Sequence, residues 1–148
     1  MNPDGAEAIK VDAIVKYVYE TVVPFVSQLV IPTFMGQPGT VQEETIETAK
    51  IAGYSYFTEL LGENEYLTGA NMTWVDFLVY GLLIQMELHP KFKYEENEKL
   101  NKWYTRIQAL PFFHIVHKGR EVSWSDCLKV FLDYYSAKMK IQDVKRSL

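Results

Sequence analysis

The chain has 148 residues, the length of one domain of ordinary size. Hydrophobic residues make up 48% and charged residues 23%, which excludes a disordered or low-complexity chain. The formal net charge of −4 excludes a general electrostatic attraction to nucleic acid or anionic lipid. We therefore predict a single domain over residues 1–148, with neither nucleic acid nor a membrane as a partner.

The N-terminus and the cysteine usage bear on localisation. The first seven residues contain no basic cluster followed by an apolar run, and the longest apolar stretch, residues 74–84, is too short to span a bilayer. The single cysteine, Cys127, cannot form an internal disulfide bond or a cysteine cluster for zinc. These features favour a cytoplasmic protein.

The first predicted helix carries apolar residues at three- and four-residue steps, which places them on one helical face. They are Val11, Ile14, Val15, Val18, Val22, Phe25, Val26 and Leu29. Pro24 lies inside this pattern and lacks the N–H that would bond to Glu20, so we expect a bend there. Pro32 and the glycines that follow it should end the helix.

A second helix is predicted from Thr40 to about Leu61. Thr40 and Glu43 have the spacing of a capping box at its start. Small residues in its middle, Ala52 and Gly53 among them, would allow a neighbouring backbone to approach closely.

The third predicted helix follows a polar loop and begins with a stronger signal. Thr73 and Asp76 have capping-box spacing, so each would satisfy a backbone N–H of the other. The residues after them, up to Leu88, are apolar nearly all round the helix, which is typical of a helix surrounded by others. We expect this helix at the centre of the fold, with Thr73 and Asp76 as structural capping residues.

Three more helices complete the prediction. The fourth carries an apolar stripe, and a short fifth (residues 111–119) and a sixth (starting at Ser123 with Asp126) follow it. The stripe of the fourth helix consists of Leu100, Trp103, Tyr104, Ile107 and Leu110. No alternating run or hairpin signal is present. The predicted fold is an all-α bundle of about six helices.

Few residues indicate chemistry. His114 and His117 could share a metal ion, but no third ligand stands nearby, which favours ordinary histidines. Cys127 lies on an apolar stripe without an adjacent base, which favours an inert core thiol. Tyr17 and Tyr19 lie off the main stripe of the first helix and could line a pocket or be half-exposed surface residues. We predict no catalytic residue and no metal site.

The block from Tyr66 to Tyr80 resembles the start of the central helix in the C-terminal domain of cytosolic glutathione transferases. Gly69, Thr73 and Asp76 match the family's Gly-x-x-(Ser/Thr)-x-x-Asp signature, with one extra residue in the turn. The run Thr-Trp-Val-Asp-Phe-Leu-Val-Tyr that begins at Thr73 is similar to the mu class. The resemblance covers about residues 11–119.

This resemblance implies a helical domain that packs behind a thioredoxin-like domain, which binds glutathione and stabilises its thiolate. No strand-helix-strand segment precedes the first helix, so we expect that half to lie elsewhere and this chain to be inactive alone. The resemblance places Tyr19, Val23 and Val26 at positions that face the electrophile pocket. It places Glu20 where the family often has an Asp that reaches across the dimer to glutathione. Glutathione is then a co-substrate, and no other cofactor is implied.

Two functions remain open on this evidence. The chain is either the electrophile-binding half of a glutathione transferase or a docking module, since similar helical domains occur in translation elongation factor and aminoacyl-tRNA synthetase assemblies. The mu-like central helix favours the transferase, whereas the basic tail favours docking. In either case we expect a homodimer or hetero-oligomer formed through the first two helices. If the chain is the transferase half, we also expect a thioredoxin-like partner half.

Overall fold

The computed structural model describes residues 5–110, which form four helices and no named strand. Helix α1 is Gly5–Phe34, α2 covers residues 43–61, α3 is Trp74–Met86 and α4 is Glu98–Gln108. Short 3₁₀ turns, Pro38–Thr40 and Tyr94–Glu96, precede α2 and α4. The predicted all-α class is confirmed, and residues 5–110 hold four helices where the prediction for the full chain has about six. The predicted fifth and sixth helices lie outside the described residues, as do His114, His117 and Cys127.

Helix α1 accommodates Pro24 through a π-helical segment. Val18–Val22 is a π-helix, and the N–H of Val23 donates to the carbonyl of Val18, five residues earlier. Pro24 follows at the start of the second α-helical segment of α1, Val23–Phe34, where a missing N–H is tolerated. Apolar residues at four-residue steps would drift off one face of an α-helix, which has 3.6 residues per turn. A π turn holds more residues than an α turn, so the inserted segment keeps the buried stripe on one face.

The end of α1 is set by Gly36 and not by Pro32. Contrary to expectation, Pro32 lies inside the helix, which continues to Phe34. The N–H of Gly36 donates to the carbonyl of Thr33 at 3.0 Å, and that of Gln37 donates to the carbonyl of Pro32 at 2.8 Å. This pair of bonds is a Schellman motif, which needs a left-handed residue, and Gly36 has φ +73°.

The predicted capping box at Thr40 and Glu43 is wrong. The Thr40 hydroxyl donates to the carbonyl of Gln37 at 2.8 Å, within the 3₁₀ turn, so it does not reach the helix. Helix α2 begins after Gln42, which makes no side-chain cap, and Glu43 forms an ion pair with Lys91. Further along, α2 contains a second π-helical segment, Ile51–Ser55.

Helix α3 lies at the centre of the described fold and contacts both α1 and α4. Seven of its thirteen residues are buried: Val75, Asp76, Val79, Tyr80, Leu83, Ile84 and Met86. The buried residues of α4 are Leu100, Trp103, Tyr104 and Ile107, as the spacing predicts, whereas Leu110 of the predicted stripe lies beyond the helix and is partly buried. The Asn97 side chain caps α4 by accepting the N–H of Leu100 at 3.2 Å.

By length and composition α1 could cross a membrane. The prediction from the longest apolar stretch, residues 74–84, did not include this helix. Its stripe, from Val11 to Leu29, is buried in the common core with residues of α2, α3 and α4. The buried stripe accounts for part of the apolar character of α1, because 28% of its most apolar 18-residue window is buried.

Candidate functional site

The two π-helical segments, Val18–Val22 of α1 and Ile51–Ser55 of α2, contact each other. Short π segments inside α-helices are frequent at functional sites, because the wider turn displaces side chains and frees backbone carbonyl groups. The carbonyl of Ala52, in the second π segment, accepts a hydrogen bond from the Tyr17 hydroxyl at 3.0 Å. The paired π segments are therefore the first candidate for a site on this surface.

Tyr17 joins the two helices at this point. Its ring stacks on that of Tyr56 with centroids 3.6 Å apart and meets Phe57 edge-on at 6.0 Å. Burial, with a smaller effect from Tyr56, raises the pKa of Tyr17, so its hydroxyl keeps the proton that it donates to Ala52. Tyr17 is half-buried, in line with the second of the two predictions left open for it, and its contact with α2 was not part of either prediction.

The residues predicted for the electrophile pocket differ in accessibility. Tyr19 and Glu20 lie in the first π segment and are exposed, Tyr19 to 62%. Val23 is partly buried at the start of the following α-helical segment, whereas Val26 is only 6% exposed and belongs to the core. Tyr19, Glu20 and Val23 are therefore the members of this set that a ligand could contact from solvent.

Asp76 is the most heavily bonded side chain of the described residues and is fully buried. With Thr73 it forms a capping box, in which Asp76 Oδ2 accepts the Thr73 N–H at 2.9 Å. Its other oxygen, Oδ1, accepts the N–H of Leu67 at 3.0 Å and the indole N–H of Trp103 at 3.0 Å. One carboxylate thus connects the start of α3, the preceding loop and α4, a structural role wider than a helix cap.

The loop before α3 is fixed from both sides. Tyr66 and Gly69 exchange backbone hydrogen bonds of 3.0 and 3.1 Å, a tight turn for which Gly69 takes φ +142°. Lys10 of α1 donates to the carbonyl of Thr68 at 3.1 Å. These bonds hold Leu67 where its N–H meets Asp76, so the signature residues of the sequence serve one connected arrangement.

A cleft of about 360 Å³ lies between residues 61–65 and α4. Its charged lining residues are Glu63, Glu65, Glu98, Lys99, Lys102 and Arg106. Lys99 pairs with Glu63 at 2.9 Å and Lys102 with Glu98 at 2.7 Å, which lowers the pKa of both glutamates. Such exposed pairs contribute little to stability, and the balanced charges favour no ligand of one sign.

The described residues contain no group of three or more His, Cys, Asp or Glu side chains that could hold a metal ion. Asp76 is the one fully buried carboxylate among the described residues, and its oxygens accept hydrogen bonds from the three N–H donors above. The surface at the first π segment presents the exposed phenol of Tyr19, the carboxylate of Glu20 and the partly buried apolar side chain of Val23.

A family model described as the glutathione S-transferase C-terminal domain matches residues 26–114, which is more than half of the chain. The chain belongs to this family. No curated protein and no solved structure matches the chain. The matched range of this glutathione S-transferase C-terminal domain includes Thr73 and Asp76 but begins after Tyr19, Glu20 and Val23. The likeness to the mu class stays a prediction.

Proposed function

We propose that this chain is the helical half of a glutathione transferase, which supplies a wall of the electrophile pocket and a dimer surface. The observation that carries the proposal is the family match over residues 26–114. It is supported by the exposed Tyr19 and Glu20 on the first π segment. Conjugation would require a thioredoxin-like half that binds glutathione as co-substrate.

The division of labour follows from the chemistry. Adding glutathione to an electrophile requires a donor aimed at the sulfur, which lowers the pKa of the thiol, and a surface for the tripeptide. We assign neither to residues 5–110, which form helices without a named strand. Tyr19 and Val23 would contact the electrophile, with Val26 supporting that wall from the core. The Glu20 carboxylate would bind the amino group of a glutathione held by the second subunit.

Activity measurements test this proposal. We expect the purified chain alone to show no conjugation of glutathione to a chlorinated aromatic electrophile, because the thiol-activating group is elsewhere. Fusion behind the thioredoxin-like domain of an active glutathione transferase should give turnover. In that fusion, Tyr19→Ala should raise the KM for the electrophile several-fold and leave the KM for glutathione nearly unchanged.

The control is Ile9→Ala, which removes an equally exposed apolar side chain of α1 before the π segment. It should leave both KM values unchanged. Turnover by the repurified chain alone would contradict the proposed division, and equal KM values in the Tyr19→Ala and parent fusions would contradict the role of Tyr19.

Self-association is a separate expectation. Exposed apolar side chains on the first two helices, Ile31 at 61% and Ile51 at 64%, are suited to an interface between subunits. We expect a dimer in sedimentation equilibrium at high concentration and a shift toward monomer in Ile51→Glu. Glu44→Gln, a surface change on the same helix, should leave the dimer intact. A clean monomer for the parent chain would instead favour the docking module, whose partner is another protein.

A further inference from the structure

A carboxyl group of unusual setting lies at the opposite end of α3 from Asp76. Glu87 is the residue that follows α3 and is partly buried. Its Oε1 accepts the N–H of Tyr94 at 2.8 Å, which joins the end of α3 to the 3₁₀ turn before α4. The C-terminus of a helix carries partial negative charge, so an ionised carboxylate is disfavoured at this position.

Tyrosines from four parts of the fold, α2, α3, the 3₁₀ turn and α4, lie near this carboxyl group. Tyr54 of α2 is 9% exposed and Tyr104 of α4 is fully buried, and neither hydroxyl has a hydrogen-bond partner among the described residues. The ring of Tyr94 stacks on that of Tyr104 with centroids 3.8 Å apart, and Tyr80 of α3 lies 4.4 Å from Tyr104. Burial raises the pKa of the Tyr54 and Tyr104 hydroxyls, and among the charged groups the Glu87 carboxyl adds most to that rise at both.

The charged groups near Glu87 do not offset its burial. Glu95 and Glu96 in the neighbouring turn are exposed and carry the same sign. None of the ion pairs within residues 5–110 includes Glu87. His89, two residues further on, has its ring nitrogens bonded to the Pro38 carbonyl and the Lys91 N–H. An ionised Glu87 would thus be partly buried without a paired cation among residues 5–110.

We propose that Glu87 is a proton-controlled latch for the α3–α4 connection, residues 87–97. With a neutral carboxyl group the connection is closed against the tyrosine cluster, and ionisation loosens it so that water reaches the carboxylate. The latch is independent of the proposed transferase function, because it depends only on contacts within the described fold.

The working range of the latch lies near neutral pH. Burial raises the pKa of Glu87 to about 7, with Glu95 adding to the effect while the Tyr94 N–H opposes it. An acid whose pKa is higher in the folded state binds more protons there than when unfolded. The closed connection is therefore favoured at low pH and loses stability as pH rises from about 4.5 toward 7.

Hydrogen exchange of the Tyr94 amide in the full chain tests the latch. After correction for the intrinsic exchange rate, we expect its protection to fall by about 10- to 100-fold between pH 5 and pH 8. Glu87→Gln, which keeps the shape of the neutral carboxyl group, should remove that dependence. Glu44→Gln, which removes an exposed carboxylate on α2, should retain it.

A direct titration keeps the test decisive if Glu87→Gln fails to fold. Carbon-13 NMR of the carboxyl groups in the parent chain should show Glu87 titrating near pH 7. Titration in the usual range of glutamate would overturn the proposal. So would equal Tyr94 protection at pH 5 and pH 8, or a pH dependence that persists in a folded Glu87→Gln variant.

Discussion

Replacing Asp76 with alanine is expected to lower the free energy of unfolding by about 3–5 kcal/mol. The cap alone would account for about 1–2 kcal/mol. The larger figure follows because the carboxylate also accepts the N–H of Leu67 and the indole N–H of Trp103, and all three donors would remain buried without partners. Urea denaturation of both proteins measures the difference.

Two further variants separate the cap from the rest of the arrangement. Trp103→Phe removes one donor and keeps most of the buried ring, so it should cost about 1–2 kcal/mol. In the double variant the two losses should not add, because each removes the same bond. Asp12→Ala, an exposed acid on α1, should change stability by less than about 0.5 kcal/mol. A loss of 1 kcal/mol or less for Asp76→Ala, or additive losses, would show that Asp76 is only a cap.

The central helix could be predicted because its signals are local. Thr73 and Asp76 are three residues apart, and a reciprocal cap needs nothing beyond that spacing. The bond from Trp103 spans 27 positions in sequence, and no periodicity reports a contact of that kind. The sequence therefore located Asp76 correctly at a helix start but could not show that it also anchors α4.

The four-residue steps of the apolar stripe in α1 indicate a π turn, and the prediction of a bend at Pro24 did not use them. Its stripe passes through Ile14, Val18, Val22 and Val26 at constant steps of four. An α-helix with 3.6 residues per turn would carry such a series gradually off one face, whereas an inserted π turn restores it. The predicted bend at Pro24 rested on the missing N–H alone. In the structure one π segment accommodates the proline and also keeps the stripe on one face.

Helix ends were predicted less well because several residues compete for them. The last turns of α1 accommodate Pro32, and Gly36, in the left-handed conformation, ends the helix. Thr40 has the right spacing for a cap, but the 3₁₀ turn begun at Pro38 directs its hydroxyl back to Gln37. Local spacing thus fails where the path of the preceding loop decides which donor is within reach.

The candidate site could be predicted only through the resemblance. Nothing in the periodicity distinguishes Tyr19 from an ordinary surface tyrosine, and the resemblance alone assigns Glu20 a ligand. The structure adds that both lie on a π segment and are exposed, whereas Val26 is in the core.

The close approach of α2 and α3 gives a second large effect. A Cβ atom at Gly53 would lie 3.0 Å from both Cε and Sδ of Met86 and 3.3 Å from Cδ2 of Leu83. Gly53→Val should therefore lower the free energy of unfolding by about 2–3 kcal/mol through overpacking. Gly53→Ala should be nearly neutral, since the flexible end of Met86 can move and alanine gains about 1 kcal/mol of helix propensity.

Matched variants show whether the loss comes from this contact. Gly81 of α3 has open space where its Cβ would lie, so Gly81→Val should be tolerated. Met86→Ala removes the atoms that a valine at position 53 would meet, so the double variant should lose less stability than the two single losses combined. Equal losses for valine at positions 53 and 81, or strict additivity with Met86→Ala, would mean that α2 and α3 do not approach as closely as the structure shows. The small residues of α2 would then serve no packing purpose against α3.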